Sequence, residues 1–394
     1  MERILITGLG VVSCVGQDIE TFWSALMRAH NEPGLVPDPH ARMPNRLLYV
    51  VTDPPRATDS QGNELSRTSA FAVQAAREAL ADAGLGDALD GAGDGIGVSI
   101  GTGVGDAGLF EAARAGGRVP RAADGFPFKT SGALAERFGL TGPNLTVSTA
   151  CSASAYSASL AVQAVRDGLA DVVLAGGADG YTRVGVACFN RMGGLDPVRC
   201  RPFDARREGT VFGEGAAMMV VESEEHWRRR GGRHAYAALE GAGWSCDAHH
   251  PTAPEPTGRA IARAMRAALH EAGLDAEDIG CVVPHGTGTP LNDVVESRVL
   301  REVLAGSDRT PPAVYSLKSM LGHTGGAAGG FAALTAALIL SRRTAPPNPP
   351  LADPDPECPF PLHTGEPQRR AFGHALVNAY AFGGNNISLV LGEV

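Results

Sequence analysis

The feature that most limits the possible folds is a regular alternation of short apolar segments with alanine-rich helical segments along all 394 residues. Residues 3–12, 95–105 and 171–179 are predicted strands, and patterns such as RTSAFAVQAAREALADAGL between them are predicted helices. Strands that are separated by helices usually form parallel sheets covered on both faces. The sequence therefore predicts an α/β protein.

The order of these segments repeats in the second part of the chain. Segments 279–290 and 313–323 are predicted strands, and the small-residue segment 325–340 is a predicted buried helix, as in the first part. We predict two related halves, residues 1–235 and 236–394, with a functional site where they meet. The proline-rich segment 345–362 is predicted to be an extended surface connector, because proline lacks a backbone donor.

Charge and cysteine content exclude several classes of protein. A net charge of -9 leaves no basic footprint for nucleic acid or an anionic membrane surface. We identify no apolar segment of the roughly 20 residues that cross a bilayer, and the start of the chain does not resemble a signal peptide. Seven cysteines without a CxxC pair predict reduced thiols rather than a zinc site or disulfides. We therefore expect a cytoplasmic protein.

Cys151 stands out in the stretch TVSTACSASAYSASLAVQAVRDG (146–168). It follows the predicted buried strand NLTVSTA and begins a small-residue helix that we expect to run through the molecular centre. Ser148 and Thr149 could accept hydrogen bonds from the first N–H groups of that helix, whose positive end favours a thiolate. A lone buried cysteine is more often a packing residue, so this stretch alone leaves both roles open.

Two histidines favour chemistry over packing. His285 follows a predicted strand in VPHGTGTPLND, and His323 lies in LKSMLGHTGGAAGG, five residues after Lys318. Either histidine alone could be structural. A thiol and two imidazoles at strand ends fit the place where open α/β folds gather their sites. Lys318 could orient a histidine or bias the local charge, and lysine is scarce here, because Lys129 is the only other one among 34 basic residues.

Hydroxyls and glycines near these residues suggest a binding site for a substrate arm. Thr287 and Thr289 are suited to gripping an amide-bearing arm. The glycine pair in NAYAFGGNN (378–386) could present N–H groups to an oxyanion, or could form an ordinary tight turn. GTGVGD (101–106) lacks the glycine spacing and the ribose-binding acid of a dinucleotide loop, so we reject nucleotide binding.

The motifs TACSAS, HGTGTPLND, KSMLGHTGGAAG and AFGGNN, in this order, resemble those of the β-ketoacyl-acyl carrier protein synthases of the condensing-enzyme superfamily. The segment CRPFDARREGTVFGEGAAMMVVE (200–222) is also similar to a signature of that family, and the resemblance covers essentially the whole chain. It implies a thiolase fold, with five layers (αβαβα) made from two duplicated halves. It also implies a homodimer or a heterodimer with a similar chain, and no metal or cofactor, because the acyl carrier protein carries the phosphopantetheine arm.

The resemblance implies a role for each candidate. Cys151 would take an acyl group as a thioester, and His285 and His323 would stabilise the enolate that forms when malonyl thioester loses carbon dioxide. Lys318 matches the active-site lysine of the family. The oxyanion would be held by the backbone N–H groups of Cys151 and Phe382.

Further positions match the family with less defined roles. Thr287 and Thr289 match pantetheine-binding threonines, and Phe382 matches an aromatic gate that follows Tyr380. Phe189 and Met192 are candidates for the acyl pocket, although a core role is equally compatible with the sequence. Asp247 and His250 also resemble family positions.

Two departures from the family pattern bear on the pathway. Elongating synthases of fatty-acid biosynthesis usually have a glutamate where this chain has Ala332, and a threonine where it has Asn385. These changes alter the charge network around Lys318 and the gate, and favour a type II polyketide system over fatty-acid elongation.

Other functions fit the sequence less well. A thiolase would need a second cysteine late in the chain, where NAYAFGGNN has none. In a non-catalytic chain-length-determining subunit the nucleophile is typically replaced. A hydrolase with a Cys-His pair would leave the second histidine and the lysine unexplained.

Overall fold

The computed structural model describes residues 2–86, 95–117, 119–121, 124, 126–304, 311–358 and 362–394. The strands are β1 (Ile4–Ser13), β2 (Gly34–Leu35), β3 (Leu47–Tyr49), β4 (Gly97–Gly101), β5 (Asn144–Val147), β6 (Val172–Asp179), β7 (Phe212–Gly213), β8 (Gly215–Ser223), β9 (Ala237–Cys246), β10 (Ile279–Val283), β11 (Ala313–Val314), β12 (Thr344–Ala345), β13 (Gln368–Arg369), β14 (His374–Ala381) and β15 (Asn385–Gly392). The helices are α1 (Ile19–Arg28), α2 (Arg67–Asp82), α3 (Ala107–Arg114), α4 (Phe128–Phe138), α5 (Ala153–Arg166), α6 (Arg183–Met192), α7 (Glu224–Arg229), α8 (Arg259–Ala272), α9 (Pro290–Leu304), α10 (Lys318–Leu321) and α11 (Ala328–Arg342).

Two sets of five strands with the same topology make up the main sheet. The order is β5-β4-β6-β8-β1 in the first set and β11-β10-β14-β15-β9 in the second. Counted along the chain within each set, both orders are 3-2-4-5-1. The strands of both sets also run in the same relative directions. The sets join where Leu5 and Ile6 of β1 pair with Ala238 and Ala237 of β9.

The strand directions correct one prediction. Each set is mixed rather than parallel, because β8 lies antiparallel to β6 and to β1, and β15 lies antiparallel to β14 and to β9. In the second set the reason is the short turn 382–384 between β14 and β15, since a turn of this length can join only antiparallel neighbours.

Five layers result from the helix packing. α5 and α11 form the central layer, where they contact each other and strands of both sets. α2 and α4 cover the outer face of the first set, and α8 covers that of the second with α9 beside it. This architecture, with two halves of equal topology, confirms the predicted α/β class and the αβαβα thiolase fold.

The two central helices pack closely because their contact surfaces are made of small residues. A Cβ atom on Gly329 of α11 would lie 2.7 Å from the Cβ of Ala155 in α5, so only glycine permits this approach. The segment Gly325–Arg342 is long and apolar enough to cross a membrane, but 83% of it is buried inside the protein. Its composition therefore reflects the core of the fold.

Three local predictions differ from the structure. The strand NLTVSTA was predicted to be buried, but Asn144 and Leu145 are exposed because β5 lies at the edge of the sheet. The predicted strand 313–323 is shorter, because only Ala313–Val314 pair in β11 and Lys318 begins the helix α10.

The predicted surface connector is the third. Residues 345–349 are buried, since the Asn348 side chain bonds the backbone of Val314 and Ser316, and residues 359–361 lie outside the described residues. The predicted boundary between residues 235 and 236 falls between α7 and β9, and it stays a prediction.

Candidate active site

Cys151 lies where the two halves meet. It is the middle residue of the 3₁₀ turn Ala150–Ser152, directly before α5, and its side chain is partly buried. Ala150 has a φ of 48°, a left-handed conformation that costs a non-glycine residue about 1 kcal/mol or more. Backbone strain of this kind is common at active sites. The strained turn carries the thiol into a cleft that residues of both halves line.

The Cys151 thiol is protonated at neutral pH. Burial raises its pKa to about 11, although the Lys318 ammonium and the backbone N–H groups of Cys151 and Phe382 lower it. The prediction that the helix terminus favours a thiolate was therefore wrong in its net result. The predicted side-chain caps are also absent, because Thr149 and Ser152 bond each other at the helix start. The N–H groups of Cys151 and Phe382 nevertheless stabilise negative charge at this sulfur.

His285 is held by contacts on both sides of its backbone. Its N–H donates to Glu296 Oε1 at 2.7 Å, and its carbonyl oxygen accepts a hydrogen bond from Lys318 Nζ. Lys318 Nζ also lies 3.5 Å from His285 Nδ1. An ammonium donor on Nδ1 leaves the ring proton on Nε2. His285 therefore presents an N–H donor on the ring edge that faces away from Lys318.

His323 is anchored by backbone bonds to the segment that contains β7. Its N–H donates to the Val211 carbonyl at 2.8 Å, and its carbonyl accepts from Gly213 N–H at 3.0 Å. The ring atom Nδ1 accepts the Gly325 N–H at 3.3 Å, which again places the ring proton on Nε2. The two imidazole rings meet edge to face, with centroids 5.7 Å apart.

Charge and burial keep both imidazoles neutral. Desolvation holds the pKa of His285 and of His323 well below the usual value, and the nearby Lys318 charge lowers both further. Burial also lowers the pKa of Lys318, opposed by the negative charge of Glu296. The pKa of Glu296 is raised by burial to about 7, although it accepts two backbone N–H groups. The site therefore offers two neutral N–H donors beside a thiol.

Thr287 and Thr289 lie on the turn after His285 and line the same cleft. Their hydroxyl oxygens are 2.8 Å apart. Asp293 of α9 fixes the turn by accepting the N–H groups of Thr287 and Gly288. Two coupled hydroxyls beside the cleft can bind amide groups of an elongated ligand.

Two spaces meet at Cys151. The entrance cleft has a volume of about 90 Å³ and is lined by residues that include Cys151, both histidines, Thr287 and Thr289. The apolar cavity has a volume of about 310 Å³ and extends from Cys151 toward α6. Phe189 and Phe382 line both spaces, so the rings of these two residues form the partition between them.

Stacked aromatic rings form this partition. The rings of Phe189 and Phe382 are parallel within 7°, with centroids 5.3 Å apart. Phe212 packs edge-on against Phe189 and stacks against His323. Tyr380 contacts His285 on the cleft side and does not line the apolar cavity. Phe189 and Phe382 therefore lie between the cleft and the cavity, whereas Tyr380 faces the cleft alone.

The remaining predicted residues are divided between the cleft and the surface. Asp247 and His250 line the entrance cleft, where Asp247 accepts a hydrogen bond from the Asn386 side chain at 2.6 Å. His250 is exposed and uses Nδ1 to accept backbone N–H groups. Met192 is 47% exposed at the end of α6 and lines neither space, so it is not an acyl-pocket residue in the described structure.

Two family models match this chain. Residues 1–226 match the β-ketoacyl synthase N-terminal domain, and residues 236–352 match the β-ketoacyl synthase C-terminal domain. The chain belongs to the β-ketoacyl synthase family. It is thus an acyltransferase of the condensing type, as predicted.

Relatives of known name are similar over the full length of this ketosynthase. The 3-oxoacyl-acyl-carrier-protein synthase 2 of Staphylococcus aureus (strain N315) is 33% identical over 407 residues, which cover 99% of this chain and 98% of the relative. The solved structure of the ishigamide ketosynthase/chain length factor is 34% identical with a TM-score of 0.89, covering 100% of this chain and 99% of that one.

A second similar structure contains a type II acyl carrier protein in complex with its ketosynthase bound to the hexaketide. It is 26% identical, with a TM-score of 0.87, and the match covers 100% of this chain and 99% of that chain.

The two departures from the family pattern have visible consequences in this ketosynthase. Ala332 is buried in α11, and among the described residues no carboxylate lies within 4 Å of Lys318 Nζ. Glu296 is the carboxylate with the largest effect on the pKa of Lys318. Asn385 donates from Nδ2 to the Phe382 carbonyl at 3.5 Å, so it contacts the backbone of the aromatic partition.

The sequence did not indicate several residues that support the site of this ketosynthase. Asp293 and Glu296 support the turn that carries His285, and their spacing of three on one helix was the available signal. Asp179, which lines the same cavity as Cys151, accepts the N–H groups of Gly103 and Gly326, a contact between distant segments that no local pattern indicates. Phe212 lies within a family signature but gave no separate signal.

Proposed function

We propose that this chain is the catalytic β-ketoacyl-acyl carrier protein synthase of a type II polyketide pathway, with Cys151 as its nucleophile. One observation carries this proposal. A thiol, two neutral imidazole donors and two backbone N–H groups directed at the thiol lie together between the entrance cleft and the apolar cavity. Each component has a defined task in a decarboxylative Claisen condensation, and a simple hydrolase would not need the second imidazole.

The first half-reaction loads the acyl group. The Cys151 sulfur attacks the carbonyl of an acyl thioester on the acyl carrier protein, and the thiol of the carrier arm leaves with the proton that Cys151 loses. The backbone N–H groups of Cys151 and Phe382 face the developing oxyanion. The acyl chain then occupies the apolar cavity beyond the aromatic partition.

The second half-reaction forms the carbon–carbon bond. A malonyl thioester on a second carrier enters the cleft, and His285 and His323 donate Nε2 hydrogen bonds to its thioester carbonyl. Loss of carbon dioxide leaves an enolate that these donors stabilise. The enolate carbon attacks the acyl carbonyl, the carbon–sulfur bond to Cys151 breaks, and the 3-oxoacyl chain departs on the carrier. The sulfur regains a proton from water.

The supporting residues position the reacting groups. Lys318 holds His285 through its carbonyl and Nδ1, and its charge favours the Cys151 thiolate. Thr287 and Thr289 bind the pantetheine amides, and Phe382 with Phe189 and Tyr380 controls entry to the cavity. The proposed mechanism requires no metal or cofactor of the protein, because the carrier brings the phosphopantetheine arm.

The acyl carrier protein is the proposed macromolecular substrate, as in the similar carrier–ketosynthase complex. A second ketosynthase-like chain is the proposed partner. The edge strand β5 supports this, because Leu145 is 41% exposed and none of the described strands pairs with the outer side of β5, where another strand could extend the sheet. The similar solved structure of the ishigamide ketosynthase/chain length factor supports a partner of this kind. A homodimer is the alternative, and we expect the protein in the cytoplasm.

Two other functions remain candidates. The 33% identity to the synthase 2 of Staphylococcus aureus supports fatty-acid elongation by the same mechanism. A non-catalytic chain-length-determining subunit is the alternative of another class, but it would not need the intact thiol and histidines. Residues 1–235 and 236–394 are the proposed halves that contribute the thiol and the histidines, respectively.

Intact-mass measurement after incubation with acyl-loaded carrier protein tests the proposal. We expect an acyl adduct that is lost in Cys151→Ala and kept in Cys246→Ala, a variant at an exposed thiol outside both spaces. Addition of malonyl carrier should convert the adduct to free enzyme and a 3-oxoacyl carrier. A folded protein that forms no adduct with any chain, alone or with a ketosynthase-like partner, would contradict the proposal and favour the non-catalytic function.

A further inference from the structure

Another cavity, with a volume of about 300 Å³, lies outside the site described above. Its lining residues come from three segments, 198–206, 316–319 and 348–352, and from Leu362. It shares no lining residue with the entrance cleft or with the apolar cavity. A ligand bound there would therefore be separate from the acyl and malonyl chains of the proposed function.

Positive charge predominates in the lining of this cavity. Arg199, Arg201 and Arg206 line it, and Asp204 is the only carboxylate among the described lining residues. Three guanidinium groups against one carboxylate leave an excess of two positive charges in the lining. The Asp204 carboxylate already accepts backbone N–H groups from its own loop and from residues 352–353. The cavity is thus suited to an anion.

The arginines keep N–H groups that a ligand can use. Arg201 contacts Asp196 through Nε at 2.9 Å, and Arg199 contacts Glu32 through Nη1 at 2.9 Å. Neither of these acidic residues lines the cavity. Arg206 Nε lies 3.5 Å from a carboxylate oxygen of its own loop. Because a guanidinium has five N–H donors, most of these donors have no acceptor among the described residues.

The Ser316 hydroxyl adds a donor at the buried end of the cavity. Its Oγ is buried and has no hydrogen-bond partner among the described residues, which is unfavourable for a hydroxyl. The adjacent polar side chains bond only the Ser316 backbone. Asn348 Oδ1 accepts its N–H at 2.7 Å, and the Ser319 hydroxyl donates to its carbonyl at 2.6 Å. An oxygen of a ligand would provide the missing partner.

Ser316 also places the cavity next to the turn that carries His285. A Cβ atom on Gly286 would lie 3.4 Å from Ser316 Oγ. Lys318, which holds His285, lies on the same segment, between Ser316 and Ser319. A ligand bonded to Ser316 would therefore contact the support of a catalytic histidine without entering the cleft.

We propose that this cavity is a binding site for a small organic phosphate. Guanidinium groups bind phosphate oxygens through paired N–H groups, and a serine hydroxyl can donate to a further oxygen. A phosphate monoester carries close to two negative charges at neutral pH, which matches the positive excess in the lining. The organic part of the ligand would pack against Val198, Pro202, Pro349 and Leu351, which supply apolar surface in the same cavity.

Calorimetric titration of the intact chain with phenyl phosphate tests the proposal. We expect one saturable site with a dissociation constant of about 1 mM or lower, which is a modest affinity for a ligand of this size. Benzoate has the same ring and a single charge, and should bind several-fold more weakly. Inorganic phosphate, which lacks the apolar part, should also bind more weakly than phenyl phosphate.

Two variants with matched controls locate the site. Arg206 has a side chain that is 54% exposed, and Arg266, which pairs with Glu302 outside the cavity, has one that is 55% exposed. Arg206→Ala should weaken the binding of phenyl phosphate by about tenfold, and Arg266→Ala should leave it unchanged. Ser316→Ala should weaken it several-fold. Thr335→Val, which removes another buried hydroxyl without a described partner, should have no effect.

The proposal would be overturned if phenyl phosphate did not bind, or bound equally to wild type, Arg206→Ala and Ser316→Ala. Displacement of phenyl phosphate by pantetheine would also overturn it, because pantetheine occupies the entrance cleft in the proposed function. Acyl loading of Cys151 should persist in both variants and shows that they are folded. Failure of the wild type to load any acyl chain would count against the proposed function and leave this site standing.

Discussion

The third strand of each half leads through a 3₁₀ turn into a central helix, but the two junctions carry different chemistry. β5 is followed by the turn Ala150–Ser152 and α5, and Cys151 lies within that turn. β11 is followed by α10, the turn Gly325–Ala327 and α11, and His323 lies just before that turn. One topology, used twice, thus brings a thiol and an imidazole to one point from related positions.

The loops after the second strands differ in a similar way. After β4, Thr102 and Gly103 are bonded to the Asp179 carboxyl and form part of the protein interior. After β10, Thr287 lies on the entrance cleft while acidic residues of α9 hold the backbone behind it. The two halves thus have equivalent backbones, and in the proposed function their different side chains give the first half the nucleophile and the second the electrostatic support.

The largest expected effect is the loss of the nucleophile in the first half. Cys151→Ala should abolish acyl-enzyme formation, because no other thiol replaces it at the junction of the two spaces. Condensation measured by release of 3-oxoacyl carrier should fall below detection. An acylated Cys151→Ala protein would show that the first half is not the site of covalent chemistry.

Loss of either histidine of the second half should slow condensation more than acyl loading. His323→Ala and His285→Ala should each reduce condensation by about 10²- to 10³-fold, which is typical for removal of a donor to an oxyanion. Cys151 loading should persist in both variants. Asparagine at either position keeps an N–H donor and should recover part of the rate.

Equal losses in loading and in condensation, in a variant with unchanged thermal unfolding, would contradict this division of roles. Rapid chemical quenching can separate the two steps.

A smaller effect is expected on the reactivity of the Cys151 thiol, and it depends on pH. Because the pKa of Cys151 is raised to about 11, the thiolate fraction should rise about tenfold per pH unit between pH 7 and 9. Iodoacetamide labelling of Cys151 should rise with pH in the same proportion. Lys318→Ala removes a charge that lowers the pKa, so its labelling should be several-fold slower at each pH.

Lys129→Ala is the matched control, since it removes the other lysine. A labelling rate that levels off near pH 7 would show that the thiol is already ionised there, against the effect of burial.

The smallest expected effect concerns the two loops after the second strands. Thr289→Val should raise the KM for malonyl carrier by a few-fold with little change in kcat, because one weak contact to the arm is lost. Thr102→Val, in the equivalent loop of the first half, should lower thermal stability instead. Steady-state kinetics and thermal unfolding of both variants test the contrast, which would fail if Thr102→Val changed KM and Thr289→Val did not.

The sequence predicted the fold well because its signals are local and repeated. Alternating apolar and alanine-rich segments located β4, β6, α2 and α11, and four ordered motifs located the residues that meet in the cleft. The positions of the ring protons of His285 and His323 follow from hydrogen-bond geometry, and no sequence motif indicates them. The burial of residues 345–349 was missed because composition alone does not show what a proline-rich segment packs against.

Electrostatic predictions were less successful, since they depend on the balance of several effects. The helix start next to Cys151 suggested a thiolate, but the three-dimensional environment adds a desolvation that outweighs the N–H groups and Lys318. The sequence also did not show that β5 is an edge strand. NLTVSTA is apolar enough for a central strand, but Leu145 lies on the edge of the sheet. Both errors arise from long-range arrangement.

The close approach of Gly329 to Ala155 has a consequence for any attempt to dissect this protein. Because α5 and α11 contact strands of both sets, the central core is made by both halves together, although each half also packs a smaller core beneath its outer helices. Fragments cut near residue 235 should be insoluble when expressed separately and recover only when expressed together. The two halves along the chain therefore fold together. A chimera that combines halves of two relatives would need both central helices from the same relative.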